Sequence, residues 1–279
     1  MIIDLICTII LGIVEGITEW LPISSTAHLI LTLKGLESLL ESDTIFTENF
    51  KLMFDVVIQL GAVIAVSIIY FKKLYPFKYN DKEYSKKDKF NIWGKVIIAC
   101  VPMVILGLLL DDVVSSYFYN LLTISITLIL YGVLFIIVEN YCNKKNRKLI
   151  EITNLKTTNA LAIGFIQVLA IVPGTSRSGV TIIFSRLFGL SKKASTEYSF
   201  FLSIPIIYGA SLYKLVKYLL VFQISLKEII ILLIGMLVAM VVSLFVIKKL
   251  LDFIKKYSFK IFGFYRIILG IIILIIYFS

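Results

Sequence analysis

Two apolar stretches of this chain are each cut in the middle by polar and helix-breaking residues, and a membrane tolerates such cuts in few ways. Stretch 4–36 is interrupted by Glu15, Glu19, Pro22 and the run Ser24-Ser25-Thr26; stretch 159–190 is interrupted by Pro173, Gly174 and the run Thr175-Ser176-Arg177-Ser178-Gly179. Six further stretches, 53–71, 96–110, 121–138, 199–219, 229–247 and 261–278, are predominantly apolar and carry no such break. A membrane-spanning helix needs about 20 such residues. The setting is therefore lipid: the chain is 59% hydrophobic and 16% charged, with a mean hydropathy of +0.97, whereas a soluble domain carries about 25% charged residues. In lipid, non-helical backbone survives only where protein or a wet cavity satisfies its polar groups. Each interrupted stretch thus predicts a re-entrant pair of short helices whose polar break lines a cavity.

The pattern occurs twice. A broken pair followed by three spans fills 1–139, and the same order fills 140–279, within a single membrane domain of 1–279. Aligning Pro22 with Pro173 aligns Ser25 with Ser176, and further on the segment beginning at Asp55 weakly resembles that beginning at Glu197. Three spans is an odd number, so the second copy enters the membrane inverted. The expected fold is all-α: a polytopic membrane protein with an inverted-topology repeat, two re-entrant helix pairs and six transmembrane spans.

Basic residues agree with this. Lys72, Lys73, Lys78, Lys82, Lys86, Lys87 and Lys89 follow the first span, Lys144, Lys145, Arg147 and Lys148 fill the linker between the halves, and Lys248, Lys249, Lys255, Lys256 and Lys260 follow the fifth span. Segment 111–120 has no base, and only Lys214, Lys217 and Lys227 lie at the end of the fourth span and after it. The basic loops are expected on the cytoplasmic side, which places both termini outside. The net charge of +10 is accounted for by loops on anionic lipid, not by nucleic acid. Cys7, Cys100 and Cys142 lack metal-ligand spacing and read as free thiols. The N-terminal segment has no basic region or small-residue cleavage site and is expected to stay in the mature chain.

Inverted repeats with broken helices place their site where the breaks meet. The first break carries Glu15 and Glu19 four residues apart, on one helix face. Two carboxylates together in a low dielectric repel unless a cation or proton lies between them; Mg²⁺ bridging carboxylates to substrate phosphates is one such arrangement. His28, the chain's one histidine, lies three residues after Ser25 and four after Ser24. It can serve as base for Ser25, attack phosphorus itself, or activate a water, and the sequence does not choose. In the second break, Gly174, Ser176, Ser178 and Thr181 surround Arg177 at a helix start. Free N–H groups there bind anions, and the guanidinium grips phosphate oxygens bidentately. Arg186 and Arg266 read as interfacial arginines that snorkel outward, and Asp55 and Glu197 as helix caps.

The run Glu15-Gly-Ile-Thr-Glu-Trp-Leu-Pro-Ile-Ser-Ser-Thr-Ala-His28 resembles the first signature of the bacterial undecaprenyl-diphosphate phosphatases of the bacitracin-resistance type, and Pro173-Gly-Thr-Ser-Arg-Ser-Gly-Val-Thr181 resembles the second. Phe54-Asp-Val-Val-Ile-Gln-Leu-Gly-Ala, Tyr198-Ser-Phe-Phe-Leu-Ser-Ile-Pro and Tyr265-Arg-Ile extend the likeness along the chain. The resemblance implies hydrolysis of undecaprenyl diphosphate to the monophosphate and phosphate, recycling the lipid carrier of wall synthesis and conferring bacitracin resistance. It also implies a divalent cation, Mg²⁺ or Ca²⁺, and a site on the outer side of the plasma membrane. A homodimer is compatible with it. The functional positions it implies are Glu15, Glu19, Ser25, His28, Ser176, Arg177 and Thr181; Ala27 stands where the family often has glycine. With Ser24, Thr26, Gly174 and Ser178 as further phosphate contacts, the expected roles are cation binding for Glu15 and Glu19, and catalysis for Glu19, Ser25, His28 and Arg177. The rival reading is a polyprenyl-phosphate flippase or transporter that uses the same midplane cavity.

Overall fold

The computed structural model describes residues 2–36, 44–77, 84–144 and 149–278. The expected basic positions Lys78, Lys82, Lys145, Arg147 and Lys148 lie outside them. Among the described residues the chain is helical, with one isolated bridge between Ile150 and Leu190.

The first half comprises α1 (Ile2–Thr18), α2 (Ser25–Leu36), α3 (Glu48–Val57), α4 (Gln59–Ile69), the short α5 (Phe71–Leu74), α6 (Lys86–Tyr117) and α7 (Leu121–Lys144); the second comprises α8 (Thr157–Gln167), α9 (Arg177–Leu187), α10 (Lys192–Leu219), α11 (Leu226–Lys256) and α12 (Lys260–Phe278). Six helical segments are long and apolar enough to cross a bilayer: α3 with α4, then α6, α7, α10, α11 and α12. They match the six expected spans, and the protein is a multi-pass membrane protein.

The spans outrun the apolar stretches. The 96–110 stretch becomes a helix of 32 residues, because charge does not end it where charge is satisfied. Lys89 donates to the Lys72 and Tyr75 carbonyls, and Lys95 to those of Ile152 and Thr153. A capping box between Ser85 and Asp88 starts it, as Ser225 and Glu228 start α11. Each box satisfies backbone donors that the first helical turn leaves free.

The halves cross-pair. α1 packs on α11 and α8 packs on α6, so each first helix lies on the other half's second span; α7 pairs with α12, and α10 packs on α3 and α4. Small residues permit the close crossings, as is common where lipid supplies no hydrophobic drive. A Cβ on Gly61 would run into the Met236 backbone of α11, and one on Gly132 would lie 2.8 Å from the Gly263 carbonyl of α12.

The arginines and acids expected at the periphery lie inside instead. Arg266 is fully buried. Arg186 is buried too, donating to the Leu190 carbonyl and lying 3.7 Å from Glu139. Buried backbone carbonyls need donors, and they hold both arginines in. Asp55 and Glu197 are not caps: Thr47 and Ser191 cap their helices, and Glu197 pairs with buried Lys73 at 2.8 Å.

Candidate active site

Both breaks use the same backbone device. Ser24 and Ser176 each have positive φ, 76° and 71°, and each immediately precedes a helix. The Ser24 hydroxyl accepts from Ala27 N at 3.4 Å and the Ser176 hydroxyl from Gly179 N at 3.0 Å, each satisfying a free donor of the first turn. Ser176 therefore corresponds to Ser24, not to Ser25 as the Pro22–Pro173 alignment had it. The second turn holds one extra residue, Gly174, at φ 86°, where a Cβ would collide with the Thr127 hydroxyl.

Arg266 staples the two breaks. From α12 it donates to the Pro22 carbonyl (3.2 Å) and to the Gly174 (2.7 Å) and Thr175 (3.0 Å) carbonyls. These are carbonyls that interrupted helices leave without intrahelical partners.

The breaks meet through one carboxylate. Glu19 accepts from the Ser25 hydroxyl at 2.7 Å on one oxygen and from Arg177 Nη2 at 2.7 Å on the other. Arg177 Nη1 donates to the Ser199 carbonyl at 2.8 Å. Behind it, the Thr181 hydroxyl donates to the Ser199 hydroxyl at 2.7 Å. Glu15 is fully buried, and neither of its carboxylate oxygens has a hydrogen-bond partner. It lies in electrostatic reach of Glu19, Asp55 and Arg177.

A cavity of about 450 Å³ opens onto this cluster. Eight of the expected site residues line it: Glu19, Ser24, Ser25, Thr26, Gly174, Ser176, Arg177 and Ser178. Glu15, His28 and Thr181 do not. His28 has both ring nitrogens engaged away from Ser25: Nδ1 lies 2.7 Å from the Ser24 carbonyl and Nε2 2.7 Å from the Tyr265 hydroxyl, on which the ring also stacks. A carbonyl only accepts, so in the neutral ring Nδ1 carries the proton and Nε2 accepts from Tyr265. The acceptor facing the Ser25 hydroxyl is Glu19.

Sequence reasoning missed five participants. Arg266 and Tyr265 hold the breaks and His28; Ser199 anchors Arg177; Gln59 lines the cavity; Asp55 buries an oxygen with no hydrogen-bond partner. An arginine alone in an apolar span is costly enough to signal function, and that signal was present at Arg266.

The donor set suits a divalent cation. No three or more His, Cys, Asp or Glu residues gather into a metal cage among the described residues, but Mg²⁺ characteristically uses one or two carboxylates and completes its shell with phosphates and water. The two partnerless acceptor oxygens of Glu15 beside Glu19 fit that pattern.

The description of bacitracin resistance protein BacA matches residues 8–272. An undecaprenyl-diphosphatase of Enterococcus faecalis is 48% identical over 280 residues, covering 98% of this chain and 97% of its own. Proteins of the same name from Lachnoclostridium phytofermentans and Acetivibrio thermocellus are each 49% identical, covering 97% and 98% of this chain and 96% and 97% of their own. The signatures, the fold and these relatives agree over nearly the full length: the chain belongs to the BacA family of bacitracin resistance proteins.

Proposed function

We propose that this chain hydrolyses undecaprenyl diphosphate to undecaprenyl phosphate and inorganic phosphate, with the diphosphate held between the two breaks. The observation that carries this is the bridge made by Glu19, which joins a hydroxyl nucleophile and a guanidinium at a cavity wall. A carrier needs to bind its cargo; it does not need a hydroxyl already hydrogen-bonded to a carboxylate acceptor.

In this reading Arg177 leaves Glu19 for the terminal phosphate and stabilises charge as the phosphoryl group transfers. The Ser176 and Ser178 hydroxyls lie beside it, 3.1 Å apart. The Ser25 oxygen attacks phosphorus, and its proton passes to the carboxylate it already faces. The bond to the bridging oxygen breaks and undecaprenyl phosphate leaves; water then releases phosphate from Ser25. His28 acts behind Ser24, holding the turn that aims Ser25. Glu15 and Glu19 would hold a divalent cation, Mg²⁺ or Ca²⁺, which supplies positive charge to the diphosphate oxygens.

The cavity's lining reaches Asp111, Tyr119 and Lys214, at the end opposite the lysine-rich segments. With the basic loops cytoplasmic, the site is entered from the outer side of the plasma membrane. Turnover of undecaprenyl diphosphate there removes the lipid that bacitracin sequesters, which gives the resistance.

The test is phosphate release from farnesyl diphosphate by purified protein, with and without EDTA. Movement of a polyprenyl phosphate across proteoliposomes with no phosphate released would favour the carrier instead.

A further inference from the structure

The polar end of the cavity is accounted for by the breaks; its apolar sides are not. Two of them are α6 and α10, which run parallel and are tied at three levels. The Tyr198 hydroxyl donates to the Lys95 carbonyl at 3.0 Å, and Cys100 Sγ lies 3.9 Å from the Leu202 carbonyl. At the far end Lys214 donates to both Asp111 oxygens at 2.9 and 2.8 Å, and Lys217 to Asp112 at 2.8 Å. Among the described residues no hydrogen bond or ion pair joins 103–108 to 205–210, and this untied interval lines the cavity. Val104 and Leu108 line the cavity and are 49% and 53% exposed.

The interval holds Gly107 on α6 and Gly209 on α10, both lining the cavity. A Cβ on either would meet nothing within 4 Å. Glycine inside a helix is disfavoured by about 1 kcal/mol relative to alanine, and at Gly61 or Gly132 a close helix crossing explains it. No crossing explains Gly107 or Gly209. Their effect is to leave a gap at two positions of the α6–α10 wall where side chains would otherwise stand.

We propose that this gap is a lateral portal through which the substrate's polyprenyl tail passes from the cavity into the lipid, below the Asp111–Lys214 tie. The inference rests on the polyprenyl-diphosphate reading of the site. Its occupant follows from continuity: the cavity runs from the Glu19–Arg177 pair to the gap. Pockets of roughly 300–1,000 Å³ enclose drug-sized ligands; an undecaprenyl chain is far longer, so at about 450 Å³ the cavity cannot contain it and the tail must leave. It leaves midway along two membrane-spanning helices, where the surroundings are hydrocarbon.

The experiment fills the gap. Gly107→Leu and Gly209→Leu are compared with Gly94→Leu, a change on α6 that also meets open space and lies outside the cavity lining. Leucine favours helix, so all three should fold. Purified proteins are assayed on undecaprenyl diphosphate and on farnesyl diphosphate, whose tail is short enough to coil within the cavity. For the two portal variants, kcat/KM on undecaprenyl diphosphate should fall about tenfold or more, chiefly through KM. The loss on farnesyl diphosphate should be clearly smaller, and Gly94→Leu should lose on neither. Equal losses on the two substrates, or none, would overturn the portal. Failure of the unaltered protein to release phosphate from either substrate would overturn the underlying reading instead. In a second measurement, an undecaprenyl diphosphate carrying a photoreactive group near the head of its tail should label 103–108 and 205–210. Labelling of other helices, or labelling of the gap by a photoreactive phospholipid that undecaprenyl diphosphate does not displace, would make it an ordinary lipid contact.

Discussion

The two breaks share a backbone and differ in charge. Each is a tight turn ending in a serine at positive φ that caps the next helix. The residue after that serine is Ser25 in the first break and Arg177 in the second, so equivalent positions supply the proposed nucleophile and the proposed phosphate-binding group. The acids stand only in the first break. A repeated scaffold thus brings two unlike sets of side chains face to face, and the Glu19–Arg177 pair, with side chains 9% and 10% exposed, records their meeting. Each break alone would bury an uncompensated charge; together they neutralise one another.

That comparison can be broken most severely at the pair itself. Arg177→Ala and Glu19→Ala should each lower phosphate release by about 10³-fold or more. Each should also destabilise the protein by about 3–5 kcal/mol, because a buried charge loses its partner. The double variant should regain stability in thermal unfolding yet remain inactive; recovery of activity would mean that the pair is structural.

Ser25→Ala should lose about 10²- to 10⁴-fold in turnover, while Ser176→Ala stays within a few-fold of the parent. Equal losses would restore the alignment that made these two serines equivalent. Next in size is Glu15→Gln. It should raise the Mg²⁺ or Ca²⁺ concentration needed to restore activity after EDTA by about tenfold, following the usual cost of altering a ligand set, with direct metal binding by calorimetry shifting in parallel.

His28→Ala and Tyr265→Phe should each slow turnover only about tenfold. In a double-mutant cycle their effects should not add, because the two residues share one hydrogen bond. A loss at His28 as deep as that at Ser25 would return it to the role of base. The smallest effect is expected at the strained serine: Ser176→Gly should be more stable than Ser176→Ala by about 1 kcal/mol, since glycine accepts positive φ; thermal unfolding in detergent measures it.

The spans were legible because a run of apolar residues has few alternatives in lipid, and the breaks because polar residues inside such a run are conspicuous. Glu19, Ser25 and Arg177 could be chosen on those grounds, and they do meet at the cavity. What the sequence misjudged were partnerships across distance. Sequence spacing put His28 beside Ser25, but its ring turns to Tyr265, 237 residues away. Arg266 was read as snorkelling because a lone arginine in a span usually escapes; the free carbonyls of Pro22, Gly174 and Thr175 hold it in. Proline spacing aligned the breaks one residue out of register, because the extra Gly174 is visible only as backbone geometry.

The sequence by itself determined that this chain crosses a membrane six times, carries two interrupted segments and concentrates its reactive groups in them. These follow from the transfer energetics of each segment taken alone. Only the tertiary structure decided that Glu19 is the shared partner of Ser25 and Arg177, that the His28 ring turns to the Ser24 carbonyl and Tyr265, and that Gly107 and Gly209 face open space at the cavity wall. Those depend on how the halves pack, and a hydrogen bond is fixed by distances of a few tenths of an ångström between residues far apart along the chain.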